Sequence, residues 1–365
     1  MGGFDYSLNL YHPEKDKMPG AYEWWYFDGD LHNGYSFNVV FSCTNPTALR
    51  YAQALAKLAA DPTIPYNALD YATMKVGLYD EKRVPIFYGE LDLNADQVKI
   101  APDRLDVWFG DKNHLTMRET GGLPEFVISA EIPDGKGKTA KADVVLTPMV
   151  PGVKIGRGSL IERDTPKGHL FHRWIVAVPN GHVKASFKVT DNEGKVIEVN
   201  ESGYSYHDHN WGNHPLPATL EKWYWGRIAE GDMNLIYSKV YNLFPESEYP
   251  PFKPCIFVHG NDIVTSTEEI EFVEEKMITG AQELTYASEG RLVFLEGSGV
   301  KGEVKISNLN LVAEQLCYLR FAGDYRMDVE TSIGRLKREG RTMFEYMDLA
   351  AAVRLRQKLA AQQQK

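Results

Sequence analysis

The chain has 365 residues, more than one hydrophobic core usually accommodates, so two domains are expected. Its 40 Lys and Arg against 50 Asp and Glu give a formal net charge of −10, which argues against nucleic acid as a partner, because phosphate binding needs a clustered basic surface. Cys43, Cys255 and Cys317 are odd in number and form no CxxC pair, so neither a disulfide framework nor a cysteine zinc site is indicated.

The N-terminus lacks the basic-then-apolar run of a signal peptide, and no apolar stretch approaches ~18 residues. A cytoplasmic protein without an integral membrane segment is expected. Residues 1–20 read as a polar arm. Residues 21–30 and 35–41 then form an aromatic-rich β-hairpin, joined through Asn33-Gly34, the strongest short hairpin signal. Residues 47–60 are alanine-rich, free of glycine and stopped by Asp61-Pro62, which predicts an inserted helix.

From residue 71 to about 190, short β-like runs recur between turn residues, with His172–Val178 and His182–Thr190 read as separate strands. The glycine-rich Pro151–Gly158 lacks phosphate-loop spacing. The second half continues in the same style, and the apolar run Val312–Tyr325 reads as one long strand. Phe344 to about Gln362 has helical spacing of leucine and valine. The fold class expected is mainly β: two antiparallel barrel or sandwich domains, an inserted helix and a C-terminal helix. The expected limits are residues 17–210, residues 211–348 and a helical tail over 349–365.

The densest chemistry lies in Gly203-Tyr204-Ser205-Tyr206-His207-Asp208-His209-Asn210-Trp211-Gly212. On a strand, Tyr204, Tyr206, Asp208 and Asn210 share one face, while Ser205, His207, His209 and Trp211 share the other. Asp is depleted in strands and is rarely buried unpaired, so Asp208 among tyrosines suggests a lined cavity. The plainer alternative is an Asp that holds a corner by accepting loop hydrogen bonds. His207 and His209 have spacing suited to a metal, with Asp208 and His214 nearby, but no third or fourth ligand is evident. No metal is expected. His172 and Trp174 form a second period-two pair. Trp24 and Tyr26 in the opening hairpin, and Trp223 and Trp225 later, are core aromatics or cavity walls able to stabilise a cation, and Asp28 beside the first pair is a further candidate for the site.

Several of these motifs together resemble a family. Glu23-Trp24-Trp25-Tyr26-Phe27-Asp28-Gly29, His172-Arg173-Trp174, Tyr206-His207-Asp208-His209-Asn210-Trp211-Gly212 and Glu345-Tyr346-Met347-Asp348 are similar, in that order, to motifs of the carotenoid 1,2-hydratase (hydroxyneurosporene synthase) and AttH-like family. The resemblance implies two lipocalin-like β-domains packed together and cofactor-free hydration of an isolated isoprenoid double bond. It also implies an H-x-W dyad at His172 and Trp174 and a Y-x-D dyad at Tyr206 and Asp208, with Asp208 as proton donor. Some family members catalyse cycloadditions instead, so chemistry does not follow from fold. The missing export or membrane-associating segment favours a smaller isoprenoid over a carotenoid.

The expectation is therefore a cofactor-independent hydratase or cyclase that protonates a terpenoid alkene through a carbocation. Its catalytic residues are Asp208, Tyr206, His172 and Trp174, and its substrate-binding residues are Trp24, Tyr26, Asp28, Tyr204, Asn210, Trp223 and Trp225. No cofactor or metal is required, and the partner is a hydrophobic small molecule. The alternatives are a shape-catalysed, Diels–Alder-type cyclase of a polyene and a lipocalin-like carrier.

Overall fold

The computed structural model describes residues 4–13, 18–155, 158–166, 168–280, 283–315, 317–351 and 353–354. It divides into two compact units, residues 1–215 and 216–365. Each is built on one curled antiparallel sheet, and the two sheets form a near-barrel and a half-barrel. The mainly-β, two-sheet expectation is met.

The first unit comprises β1 (Tyr22–Leu31), β2 (Ser36–Thr44), β3 (Ala72–Tyr79), β4 (Pro85–Leu93), β5 (Val98–Ile100), β6 (Asp106–Phe109), β7 (Asn113–Arg118), β8 (Glu125–Pro133), β9 (Thr139–Pro148), β10 (Ser159–Thr165), β11 (Gly168–Thr190) and β12 (Val196–Gly212). The sheet order is β4-β3-β2-β1-β12-β11-β9-β8-β7-β6-β5, with β10 paired to β11. β1 and β2 form the predicted hairpin, and Gly34 at its turn has φ +87°, a conformation that favours glycine. The helix α1 (Leu49–Ala60) interrupts the sheet where the alanine-rich run predicted it.

β11 corrects the reading of two separate strands. It is a single strand of 23 residues that bends at irregularities between Val176 and Gly181. A Cβ at Gly181 would lie 2.8 Å from Val178 and 2.9 Å from the Thr147 carbonyl, so the bend closes against neighbouring backbone.

The second unit comprises β13 (Leu220–Glu230), β14 (Met233–Asn242), β15 (Cys255–His259), β16 (Asp262–Thr267), β17 (Ile270–Thr279), β18 (Thr285–Phe294), β19 (Lys301–Gln315), β20 (Tyr318–Thr331) and β21 (Gly334–Asp348), in the order β16-β15-β14-β13-β21-β20-β19-β18-β17. The run Val312–Tyr325 is not one strand. Cys317 adopts φ +60° between β19 and β20, so the chain turns inside a stretch without glycine or proline at the turn. Residues 349–351 and 353–354 are helical, but Phe344–Asp348, included in the predicted helix, completes strand β21, because its alternate residues Phe344 and Tyr346 face the core of the second unit. Residues 352 and 355–365 of the predicted tail lie outside the described residues, as do residues 156–157 of the glycine-rich stretch.

Each sheet buries an apolar core on one face. Trp25, Phe27, Phe37, Val39, Phe41 and Phe126 are among those in the first, and Tyr224, Tyr237, Phe257, Phe272 and Phe344 in the second.

Candidate active site

The site grows from strand alternation and register in the first unit. β12 pairs with β1 on one side and β11 on the other, placing Asp208 opposite Tyr26 and Val176, and Asn210 opposite Trp24 and Trp174. Cross-strand neighbours sit close enough for side chains to touch. Trp24, Tyr26, Asp28, Tyr206, Asp208, Asn210, His172 and Trp174 therefore collect on one face. The other face of β12 packs into the core, where His207 stacks on Phe27 at 3.9 Å and His209 on Trp25 at 4.9 Å.

Asp208 is the hub. Its Oδ2 accepts hydrogen bonds from the Tyr206 hydroxyl at 2.7 Å and the Trp174 Nε1–H at 3.1 Å. Its Oδ1 accepts from the Asn210 amide at 3.1 Å. With its Nδ2 used on Asp208, Asn210 directs Oδ1 at His172 Nε2, 3.3 Å away. His172 therefore carries its proton on Nε2 and a lone pair on Nδ1, which has no hydrogen-bond partner among the described residues. Burial pushes the imidazole down to about 3, against the Asn210 bond, so it is neutral at pH 7.

A second carboxyl completes the face. Asp28 is fully buried, lies opposite Tyr206 in the strand register and accepts a bond from the Tyr26 hydroxyl at 2.9 Å. Burial, and then the neighbouring Asp208 charge, drive the Tyr206 phenol well above its ordinary range. Both tyrosines act here as neutral donors. Aromatic rings surround the group: Trp24 and Tyr22 approach His172 edge-on at 6.1 and 5.3 Å, and Tyr26 lies 6.2 Å from Tyr206.

Not every predicted residue joins. Tyr204 lies further along β12, between the rings of His182 at 5.5 Å and His32 at 5.7 Å. Trp223 and Trp225 belong to the second unit, on the β13 face turned away from its core, and Trp225 lies opposite Glu345. That face holds an Arg320–Glu345 ion pair at 3.2 Å and Arg227 donating to Asn234 at 3.4 Å.

Sequence reasoning missed Tyr22, whose buried hydroxyl has no hydrogen-bond partner among the described residues. Its period-two spacing with Trp24, Tyr26 and Asp28 was an available signal. The expectation that no third ligand converges on the histidine face is also corrected. His12, Glu23 and His209 place a ligand atom each within 4.8 Å of one another, whereas His207 is used by Asn9 and the Tyr26 carbonyl.

No family model matches the chain. A hydroxyneurosporene dehydrogenase of Chlorobaculum tepidum is 26% identical over 298 residues, covering 79% of this chain and 73% of the relative. Among solved structures, an AttH protein of Nitrosomonas europaea superposes with a TM-score of 0.56 at 15% identity, covering 95% of this chain and 97% of that one. CghA in complex with Sch210972 gives 0.58 at 11% identity, over 90% and 89%. Kievitone hydratase of Nectria haematococca gives 0.54 at 13% identity, over 95% and 96%. The chain is an AttH-like protein in fold, along nearly its whole length. The resemblance read from its motifs is borne out, and the sequence relative named for hydroxyneurosporene lies on the carotenoid-related side of that likeness. No described helix is long and apolar enough to cross a membrane.

Proposed function

We propose that this protein is a lyase-type enzyme, a cofactor-independent hydratase or cyclase of an isoprenoid-like natural product, with Asp208 as the general acid. The observation that carries the reading is the buried chain Tyr206/Trp174–Asp208–Asn210–His172, which ends in a lone pair at His172 Nδ1. An orphaned buried acceptor calls for a partner, and a reacting water suits it. Likeness to proteins named hydratase and to CghA adds support from the fold.

In the proposed reaction, a carboxyl proton passes to one alkene carbon and the π pair forms the new C–H bond. The neighbouring carbon becomes cationic against the ring faces of Trp174 and Trp24, each able to stabilise it by ~0.5–2 kcal/mol. Water held at His172 Nδ1 then adds to the cation and gives its proton to the imidazole. The net change is addition of one water. If an internal alkene reaches the cation first, its π pair forms the ring bond and the new cation loses a proton to His172 Nδ1, so that the net change is isomerisation by ring closure. The proton must then return to the acid before the next turnover.

Three donors on Asp208 favour the ionised carboxylate, whereas burial on a face that holds a second buried carboxyl, Asp28, opposes ionisation. The proposed role of Asp28 is to help keep Asp208 in the acid form. The three-donor arrangement is also what favours the second reading. There, Asp208 stays ionised and, with its neighbours, only shapes and polarises a polyene for cyclisation.

Incubation with a panel of isoprenoid and polyene alkenes in H2¹⁸O and in D2O separates the readings. A hydratase gives a product carrying solvent oxygen and one carbon-bound deuterium. An acid-initiated cyclase gives the deuterium alone, and a shape catalyst gives neither. Product labelled by the Asp208→Asn variant at wild-type rate would exclude Asp208 as the acid.

A further inference from the structure

We propose that His12, Glu23 and His209 bind a divalent transition-metal ion, with zinc the best match, which fastens the N-terminal segment to the first sheet. Glu23 on β1 lies opposite Trp211 on β12, and His209 lies opposite Trp25, so Glu23 and His209 are diagonal neighbours on one face. His12 comes from the segment before β1. Glu23 Oε1 stands 2.8 Å from His209 Nε2 and 3.1 Å from His12 Nδ1. A tetrahedral ion with bonds of ~2.0–2.1 Å sets its ligands roughly 3.3 Å apart. The two carboxylate contacts need only open slightly to admit it.

The surroundings are those of ligands rather than of a loose polar cluster. His209 Nδ1 lies 3.1 Å from the Leu8 carbonyl, which can only accept, so Nδ1 carries the proton and Nε2 presents its lone pair to Glu23. Metal-bound imidazoles are held in this way, the second ring nitrogen donating to a carbonyl or carboxylate. The other carboxylate oxygen, Oε2, accepts the His12 backbone N–H at 3.3 Å. The Glu23 and His209 side chains are fully buried, while 16% of His12 stays exposed and leaves one side open for a water ligand. A lone pair facing a carboxylate oxygen at 2.8 Å needs a cation between them, either a proton or a metal. Two imidazoles and one carboxylate suit zinc or its first-row neighbours, not calcium or magnesium, which take oxygen ligands.

The site is separate from the Asp208 face, because alternation along β12 sends His209 and Asp208 to opposite sides of the sheet. Its role is structural. It reinforces the Asn9 amide–His207 contact at 3.0 Å and the bond from Trp25 Nε1–H to the Asn9 carbonyl at 3.0 Å. Trp211 stacks on His12 at 4.2 Å and Trp25 on His209 at 4.9 Å, so two indoles report on the ligands.

The full chain, stripped by a chelator and dialysed, is titrated with Zn²⁺ in a calorimeter and with Co²⁺ by tryptophan fluorescence. One equivalent of zinc should bind, cobalt should quench the indoles, and zinc should raise the thermal midpoint. His12→Ala should weaken zinc binding at least about tenfold and abolish the thermal shift; Glu23→Gln should do the same, and Asp208→Asn should leave both unchanged. His12 is part-exposed on the N-terminal segment, so its variant carries the test even if Glu23→Gln fails to fold. Absence of saturable zinc binding would identify the trio as a protonated clasp. Wild-type affinity in His12→Ala would place the ion elsewhere. Either result overturns the proposal.

Discussion

Both units build the same kind of sheet, yet each completes the face opposite its core differently. In the first, Asp208 is met by an indole, a phenol and an amide, all neutral, and a second buried carboxyl lies on the same face. In the second, the matching face pairs charge with charge: Arg320 lies opposite Glu345 and forms an ion pair with it at 3.2 Å. A buried carboxyl among neutral donors can change protonation without breaking an ion pair. One locked to a guanidinium cannot do so cheaply. On the proposed reading, the first face carries proton chemistry and the second provides cohesion.

The largest expected effect comes from exchanging the two acids for amides. Asp208→Asn should lower turnover by ~10²–10⁴-fold or more, the usual contribution of a general acid, with little change in thermal midpoint. Glu345→Gln should leave turnover within a few fold but cost about 3 kcal/mol in denaturant unfolding, because Arg320 loses its buried carboxylate. If the two variants exchanged these phenotypes, the comparison would be wrong.

Acid should separate the units next. Nine of the ten histidines lie in the first unit and only His259 in the second. His172, facing Tyr22, Trp24, Asn210 and the nearby His214, sits at about 3, and His214 at about 4, both lowered mainly by burial. The unfolded chain takes up these protons near pH 6.5 and the folded chain does not. Stability is therefore complete above pH 6.5 and declines as pH falls toward 4, by about 1.4 kcal/mol per pH unit per histidine. Hydrogen exchange should show β11 and β12 losing protection before β20 and β21 between pH 7 and 4.5. Simultaneous loss would count against the distinction.

The smallest effect sharpens the role of Trp174. Trp174→Phe keeps a ring face but removes the N–H that bonds Asp208 Oδ2. It should cost about tenfold in kcat/KM, equivalent to roughly 1.4 kcal/mol. Trp174→Ala, which loses the ring as well, should cost more. Equal losses in both variants would show that the N–H, not the ring, is what matters.

Local sequence determined what depends on period and turn chemistry. Asn33-Gly34 specified the hairpin, the alanine-rich run specified α1, and alternation alone placed Tyr206, Asp208 and Asn210 on one face and His207 and His209 on the other. Alternation assigns a residue to a face but not to a partner, and partners come from register between strands far apart in the chain. Tertiary structure alone brought Trp174 to Asp208 across 34 residues and His209 to Glu23 across 186. It alone directed the histidine face into the core and turned the chain at Cys317, where no glycine or proline marks a turn. Hydrophobicity sets which side of a strand is buried; the curl of the sheet decides what that side is buried against.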